Sequence, residues 1–263
     1  MDLVQKLRNT RVAPGQIAVC PLGQAGFIYK TASERCLVID PYLTDYCEHK
    51  YGPGFKRMLP ALMTPEQLGE LPLAAYLITH HHIDHLDAEC VDRLIRAGAD
   101  SFPFYAPPAA IELLLRLGIA EERCFTVFDG SSHTADGIRV SGVYADHGPS
   151  APDAVGLIVQ SGERVIYHMG DTGLREEPLR EVAARYAIDL LIAPINGMFG
   201  NMNEAEAAAA AAILKPKQAV PCHYWMLPGN AGSANPARFV EAVAQSAPGT
   251  QAHMPAPGDI LLI

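Results

Sequence analysis

The sequence has no apolar run that could cross a bilayer. Its longest, "AAAAAAIL" at 207–214, falls far short of the roughly 20 residues a helical span needs. The opening residues, "MDLVQKLRNTRVAPG", lack the apolar core of an export signal. Six cysteines are scattered at 20, 36, 47, 90, 124 and 222, and none forms a C-x-x-C pair. Three disulfides are arithmetically open, but a chain of 263 residues can bury a core without them. The expectation is a protein of reduced thiols in the cytoplasm, with no membrane partner. Basic residues are also in deficit, 20 against 29 acidic, for a net charge of −9. That argues against a broad phosphate-binding stripe, so no nucleic-acid partner is expected. Nor is there a glycine-rich phosphate loop; "GQAG" at 23–26 reads only as a hairpin turn.

What remains has the composition of an ordinary globular protein, 49% hydrophobic and 19% charged. "QIAVC", "GFIYK" and "RCLVID" read as short strands of a meander. An irregular segment from Asp45 to Pro60 follows, punctuated by Gly and Pro. "TPEQ" at 64–67 then offers a capped helix start, and "AAYLI" a buried strand. Helices are expected over "DAECVDRLIRAG", with Asp87 as N-cap, and over "APPAAIELLLRLGI". Strands return at "FTVF", "IRVSGVYA", "AVGLIVQS" and "RVIYHMG". Two strand–helix units follow, including a helix over 204–214 with Asn203 and Glu206 as a capping box. The order, strand-rich then helical and twice repeated, suggests two similar halves packed as a sandwich. No hinge-like linker divides them, so residues 1–263 read as one domain.

The chemistry is concentrated in "LITHHHIDHLD", residues 77–87, which holds four of the ten histidines. A chance cluster on a solvated loop, or the scar of a purification tag, would be the bland explanation. A tag would normally lie at a terminus and would not contain Ile83 and Asp84 between its histidines. His80 and His82 are two apart, so in extended backbone their rings share a side. Asp84 and His85 come where the chain turns towards a helix and can face a second point. Three other segments place a ligand type after a strand: His147 in "VYADHGP", Asp171 in "VIYHMGDTG" and His223 in "AVPCHYW". Open α/β sheets build their sites at the carboxyl ends of strands. Imidazoles with two carboxylates suit Zn, Mn, Fe or Ni better than Ca or Mg.

The order H-x-H-x-D-H, His, G-D-T-G, His resembles the metallo-β-lactamase superfamily. Within it, "IDPYL", "THHHIDHLD", "YHMGDTG", "INGMFGNMN" and "VPCHYW", spanning 39–225, are most similar to the L-ascorbate-6-phosphate lactonase-like hydrolases. The resemblance implies a four-layer αββα sandwich of two mixed β-sheets flanked by helices. It also implies two divalent metal ions per chain. Carried over by position, His80, His82 and His147 would hold one ion. Asp84, His85 and His223 would hold the other, with Asp171 bridging. The implied reaction is hydrolysis of a small ester or lactone, such as a sugar-acid lactone, with Asp84 as the proton-handling group.

The expected partner is a small-molecule substrate, with self-association into a homo-oligomer left open. Arg57, in the Asp45–Pro60 segment, is a candidate to bind an anionic substrate under a lid; Asn196 and Tyr224 are candidates for substrate contact. His81 should face away from the ligands, and His168 should pack behind them. A phosphodiesterase or nuclease on the same scaffold is the alternative activity, disfavoured by charge. A non-catalytic metal-binding protein is the alternative class, disfavoured by the complete ligand set.

Overall fold

The computed structural model describes residues 2–229 and 232–263. In chain order the strands are β1 (Ile17–Gly23), β2 (Gly26–Thr31), β3 (Cys36–Ile39), β4 (Leu73–Leu77), β5 (Phe104–Ala106), β6 (Cys124–Thr126), β7 (Ser132–Ala135), β8 (Ile138–Tyr144), β9 (Val155–Ser161), β10 (Arg164–His168), β11 (Leu190–Pro194), β12 (Gln218–Cys222), β13 (Gln251–Ala252) and β14 (Leu261–Leu262). They form two seven-stranded sheets, β14-β1-β2-β3-β4-β5-β6 and β13-β12-β11-β10-β9-β8-β7. Each sheet is mixed in the same way. The first is antiparallel from β14 to β3 and parallel from β3 to β6. The second is antiparallel from β7 to β10 and parallel from β10 to β13.

The central strands carry apolar residues on both faces, which commits them to burial on both sides. Along β2, Phe27 and Tyr29 enter the core between the sheets, while Ile28 faces the outer helices. β11 repeats this in the second sheet: Leu190 and Ile192 point inward, Leu191 and Ala193 outward. The helices are α1 (Leu3–Asn9), α2 (Tyr46–Tyr51), α3 (Pro65–Gly69), α4 (Ala88–Arg96), α5 (Pro108–Arg116), α6 (Glu176–Arg185), α7 (Glu204–Leu214) and α8 (Pro236–Ser246). Leu68 of α3, Leu94 of α4 and Leu114 of α5 join α1 in covering the first sheet, and Leu179, Ala207 and Phe239 of α6–α8 cover the second. The fold is a four-layer αββα sandwich, the architecture that the resemblance implied.

Local chemistry sets the helix ends. Thr64 and Gln67 form a capping box at α3, and Asn203 and Glu206 another at α7. The alanines of α7 are small because α7 lies against β11 and α8; Ala207, Ala208, Ala210 and Ala211 are all buried. Lys30 is buried on β2, and its Nζ donates to the carbonyls of Leu7, Arg8 and Thr10 at the end of α1. A cation there satisfies carbonyls that the helix cannot. Among the described residues, no helix is long and apolar enough to cross a membrane. All six cysteines are free.

Candidate metal centre

The parallel strands β3 and β4 end side by side, which brings Asp40 against Thr79. Asp40 accepts from the Thr79 amide at 2.8 Å and from its hydroxyl at 2.5 Å. The chain then turns: the His85 and Leu86 amides both donate to the His82 carbonyl, at 2.9 and 2.8 Å. Asp87 closes the motif by capping α4 through the Cys90 amide, while its carboxylate also accepts from the Leu43 and Thr44 amides. A single loop therefore aims four potential ligands, His80, His82, Asp84 and His85, at the sandwich edge.

The second sheet answers from three strand ends. His147 follows β8, Asp171 follows β10 and His223 follows β12. Gly170 permits the two sheets to meet here: its φ is +63°, and a Cβ would lie 2.8 Å from the Thr79 side chain. His223 has a left-handed φ of 61°, and its amide donates to the Gln24 carbonyl at 2.8 Å.

The seven side chains form two triads, His80–His82–His147 and Asp84–His85–His223, joined by a third, His80–His85–Asp171, and within each triad the ligand atoms lie within 4.8 Å of one another. In the first, Nδ1 of His82 lies 3.1 Å from Nε2 of His80 and 3.1 Å from Nε2 of His147. In the second, Nε2 of His223 is 3.3 Å from Asp84 Oδ2 and 3.2 Å from Asp171 Oδ2. His85 Nε2 is 3.6 Å from Asp84 Oδ2 and 3.3 Å from Asp171 Oδ1. Asp171 lies between the groups, with Oδ2 also 3.6 Å from His147 Nε2.

Charge separates the two groups. Burial pushes His80 and His147 below the ordinary imidazole range, and His82 down to about 4. Burial opposes the charged form of His85 and His223 too, but Asp171 and Asp84 outweigh it. His223 is held up at about 9, and His85 well above its usual value. Asp171 and Asp84 are correspondingly lowered: the His85 and His223 imidazoles overcome their burial.

These residues fit metal ions. A ring nitrogen has one lone pair, so His82 Nδ1 cannot be well bonded to two imidazoles at once. His85 Nε2 and Asp171 Oδ1 are buried with no hydrogen-bond partner. A cation in each group would satisfy these atoms, and the imidazole–carboxylate donor set is that of a transition metal.

Behind the ligands stand residues that hold them. Asp40 Oδ2 is 2.7 Å from His85 Nδ1, which turns the opposite ring nitrogen towards the centre. Asn201 Nδ2 donates to Asp171 Oδ2 at 2.7 Å. Gln24, in the hairpin expected to be only a turn, donates to Asp84 Oδ2 at 2.8 Å and lies 3.1 Å from His223 Nε2. His168 lies behind the centre, with its Nε2 2.9 Å from the Ala25 carbonyl oxygen, and so steadies the same hairpin. Asp40 was visible in "IDPYL" without a role; a glutamine beside Gly23 gave no signal beyond its place after a strand.

A cavity of about 310 Å³ opens over the centre, lined by His82, Asp84, His147 and Asp171 with Tyr51, Phe55, Ile83, Ser150 and Phe199. None of the three expected substrate contacts lines it. Arg57 donates from Nε to the Leu59 carbonyl and from Nη1 to those of Tyr42 and Thr44, and it lies over the Tyr42 ring, so these two nitrogens fasten its own segment while Nη2 is buried without a hydrogen-bond partner. Asn196 is buried after β11. Tyr224 packs edge-on against Trp225 and lines a separate apolar cavity of about 340 Å³, beside Gly23 and Pro255. Trp225 donates its indole N–H to the Ala234 carbonyl at 2.9 Å. The Asp45–Pro60 segment does reach the site, through Tyr51 and Phe55 instead of a basic residue. It is tied to the loop after β12 by Met58 N to Met226 O and Gly229 N to Gly54 O, both 2.9 Å.

A family model described as the beta-lactamase superfamily domain matches residues 35–224. A UPF0173 metal-dependent hydrolase of Cupriavidus taiwanensis is 34% identical over 265 residues, covering 90% of this chain and 85% of that protein. The chain belongs to the UPF0173 metal-dependent hydrolases, within the metallo-β-lactamase superfamily. Another UPF0173 metal-dependent hydrolase, from Caldivirga maquilingensis, is 30% identical, covering 91% of this chain and 95% of its own. Among solved structures, Igni18, a metallo hydrolase of Ignicoccus hospitalis, superposes with a TM-score of 0.74 at 24% identity, covering 94% of this chain and 98% of that one. The UPF0173 names specify a metal-dependent hydrolase and no substrate.

Proposed function

We propose that the protein is a dinuclear hydrolase that cleaves an ester or lactone bond in a small molecule. His80, His82 and His147 would hold one divalent ion, and Asp84, His85 and His223 the other, with Asp171 shared. Zn and Mn head the candidates for the metal, with Fe and Ni behind them. The observation that carries the reading is the convergence of seven ligand side chains from both sheets within overlapping groups of 4.8 Å. The motifs similar to the L-ascorbate-6-phosphate lactonase-like hydrolases favour a lactone, and free thiols suit the cytoplasm.

When bound, such ions acidify water near neutral pH and polarise a carbonyl oxygen. The chain's own residues do the rest. Asp84 lines the cavity and is steadied by Gln24, so it can take a proton from the attacking water and deliver it to the leaving oxygen. Asp40 orients His85, and Asn201 orients Asp171. Tyr51, Phe55 and Ile83 form an apolar wall that limits water at the reacting carbonyl. No Ser or Cys nucleophile is needed.

The test is a panel of lactones, esters, phosphodiesters and β-lactams, assayed with each metal restored to apoprotein. Lactone or ester turnover with about two ions per chain is expected. Activity on phosphodiesters alone, or full activity without a transition metal, would sink the reading. Asp84→Asn should retain part of its metal and lose ~10²-fold or more in turnover. An unchanged rate would remove Asp84 as the proton-handling group.

A further inference from the structure

Phe199 is a costly residue where it stands. Its backbone is left-handed, with φ 54°, a region that disfavours a bulky side chain. Its ring is 61% exposed, so burial returns little of that cost. Gly197 and Gly200 nearby are also left-handed, at φ 62° and 88°. A third glycine would satisfy the turn without strain, yet the chain puts an aromatic ring there. That ring lines the cavity over the metal centre.

Tyr51, another wall residue, is equally unusual: it is 62% exposed and packs against Phe55 with ring centroids 5.2 Å apart. Ile83, between His82 and Asp84, adds an aliphatic surface. Apart from the ligand set and Tyr51, the polar wall residue is Ser150, whose hydroxyl turns to the His147 carbonyl at 3.5 Å. Among the described residues, no Lys or Arg lines this cavity, and Arg57 is fastened to three carbonyls. An anionic tail placed against the Phe199, Tyr51 and Phe55 rings, on the side away from the ligands, would lose water and meet no cationic side chain there. An apolar tail would gain aromatic contact and bury surface on both sides.

We infer that this cavity selects a neutral carbonyl compound bearing one aryl or branched alkyl group, held against the Phe199, Tyr51 and Phe55 rings with its carbonyl at the metal centre. The inference rests on the hydrolase reading above, and it replaces the anionic or sugar-acid substrate expected from the sequence with an apolar one. A volume of about 310 Å³ is small for a ligand site, so the group is of single-ring size.

The test measures binding as well as turnover. A phenyl-substituted γ-lactam, which resists hydrolysis, is titrated calorimetrically into metal-loaded protein beside its carboxylate-bearing counterpart and the unsubstituted γ-lactam. The neutral phenyl probe should bind ~10-fold or more tightly than the anionic one. Phe199→Gly should weaken the phenyl probe by ~10-fold and leave the unsubstituted lactam within about twofold. Because the substitution relieves backbone strain, its thermal midpoint should equal or exceed that of the parent. Tyr51→Ala, at an exposed site, should repeat the binding loss. Tighter binding of the anionic probe, or equal responses of the phenyl and unsubstituted probes to Phe199→Gly, would overturn the inference. If the phenyl preference appears but no matching lactone or ester is hydrolysed, the hydrolase reading falls and the apolar cavity stands.

Discussion

The two sheets contribute to the centre in contrasting ways. The first supplies His80, His82, Asp84 and His85 from one loop, already close in the chain and steadied by Gln24 and Asp40 from the same sheet. The second supplies His147, Asp171 and His223 singly, from the ends of three strands that only folding brings together. One half is a motif and the other is a consequence of topology. The sandwich holds them in register, and Asp171 is the residue that reaches across.

The most damaging way to break this arrangement is therefore at Asp171. Asp171→Ala removes a carboxylate that approaches His85, His147 and His223 at 3.2 to 3.6 Å. Metal content should fall below one ion per chain, and turnover by ~10³-fold or more. Elemental analysis after gel filtration checks this; retention of two ions would show that each half holds its metal alone.

A smaller effect is expected at Asp40, which touches only the first half. Asp40→Asn keeps the shape but weakens the acceptor opposite His85 Nδ1. Metal affinity or activity should drop ~10- to 100-fold, the usual range for such a supporting carboxylate. Competition with a chelator reads the affinity. If the ions are lost one at a time, the groups are independent; simultaneous loss would show them coupled through the shared carboxylate.

The smallest effect belongs far from the centre, at the exposed pair Glu66–Arg93, doubly bonded at 2.8 Å. Arg93 and Thr64 lower Glu66 from 4.5 to about 2. A carboxyl lowered on folding stabilises the fold above its ordinary value, and that stability is lost as the pH falls from 4.5 towards 2. At this exposure Glu66→Gln should cost under about 1 kcal/mol at neutral pH, with the difference vanishing in acid. Urea melts at both pH values measure it, and metal content should not move.

The same contrast explains what the sequence made legible. The 80–85 motif could be read directly because its spacing is local, and capping boxes at Thr64 and Asn203 are equally local. His147, Asp171 and His223 could be noticed only as ligand types after strands. Gln24 was invisible, since its role depends on the hairpin folding back beside Asp84. Arg57, Asn196 and Tyr224 lie off the cavity over the centre for a related reason: nearness to a motif along the chain does not fix where a side chain points. α1, β5 and β7 went unread, and β13 and β14, at two residues each, are too short to show any period. α2 was hidden within a segment whose Gly and Pro residues suggested only irregular chain.

Trp225, hydrogen-bonded to Ala234 and 52% exposed, is the single tryptophan of the chain and lies two residues beyond His223. The indole emission of the whole molecule thus originates from one loop at the rim of the centre. No dye or label is needed to follow events there. Cation uptake at His223, or displacement of Tyr224 from the indole edge, becomes an optical signal that can be timed in a stopped-flow instrument.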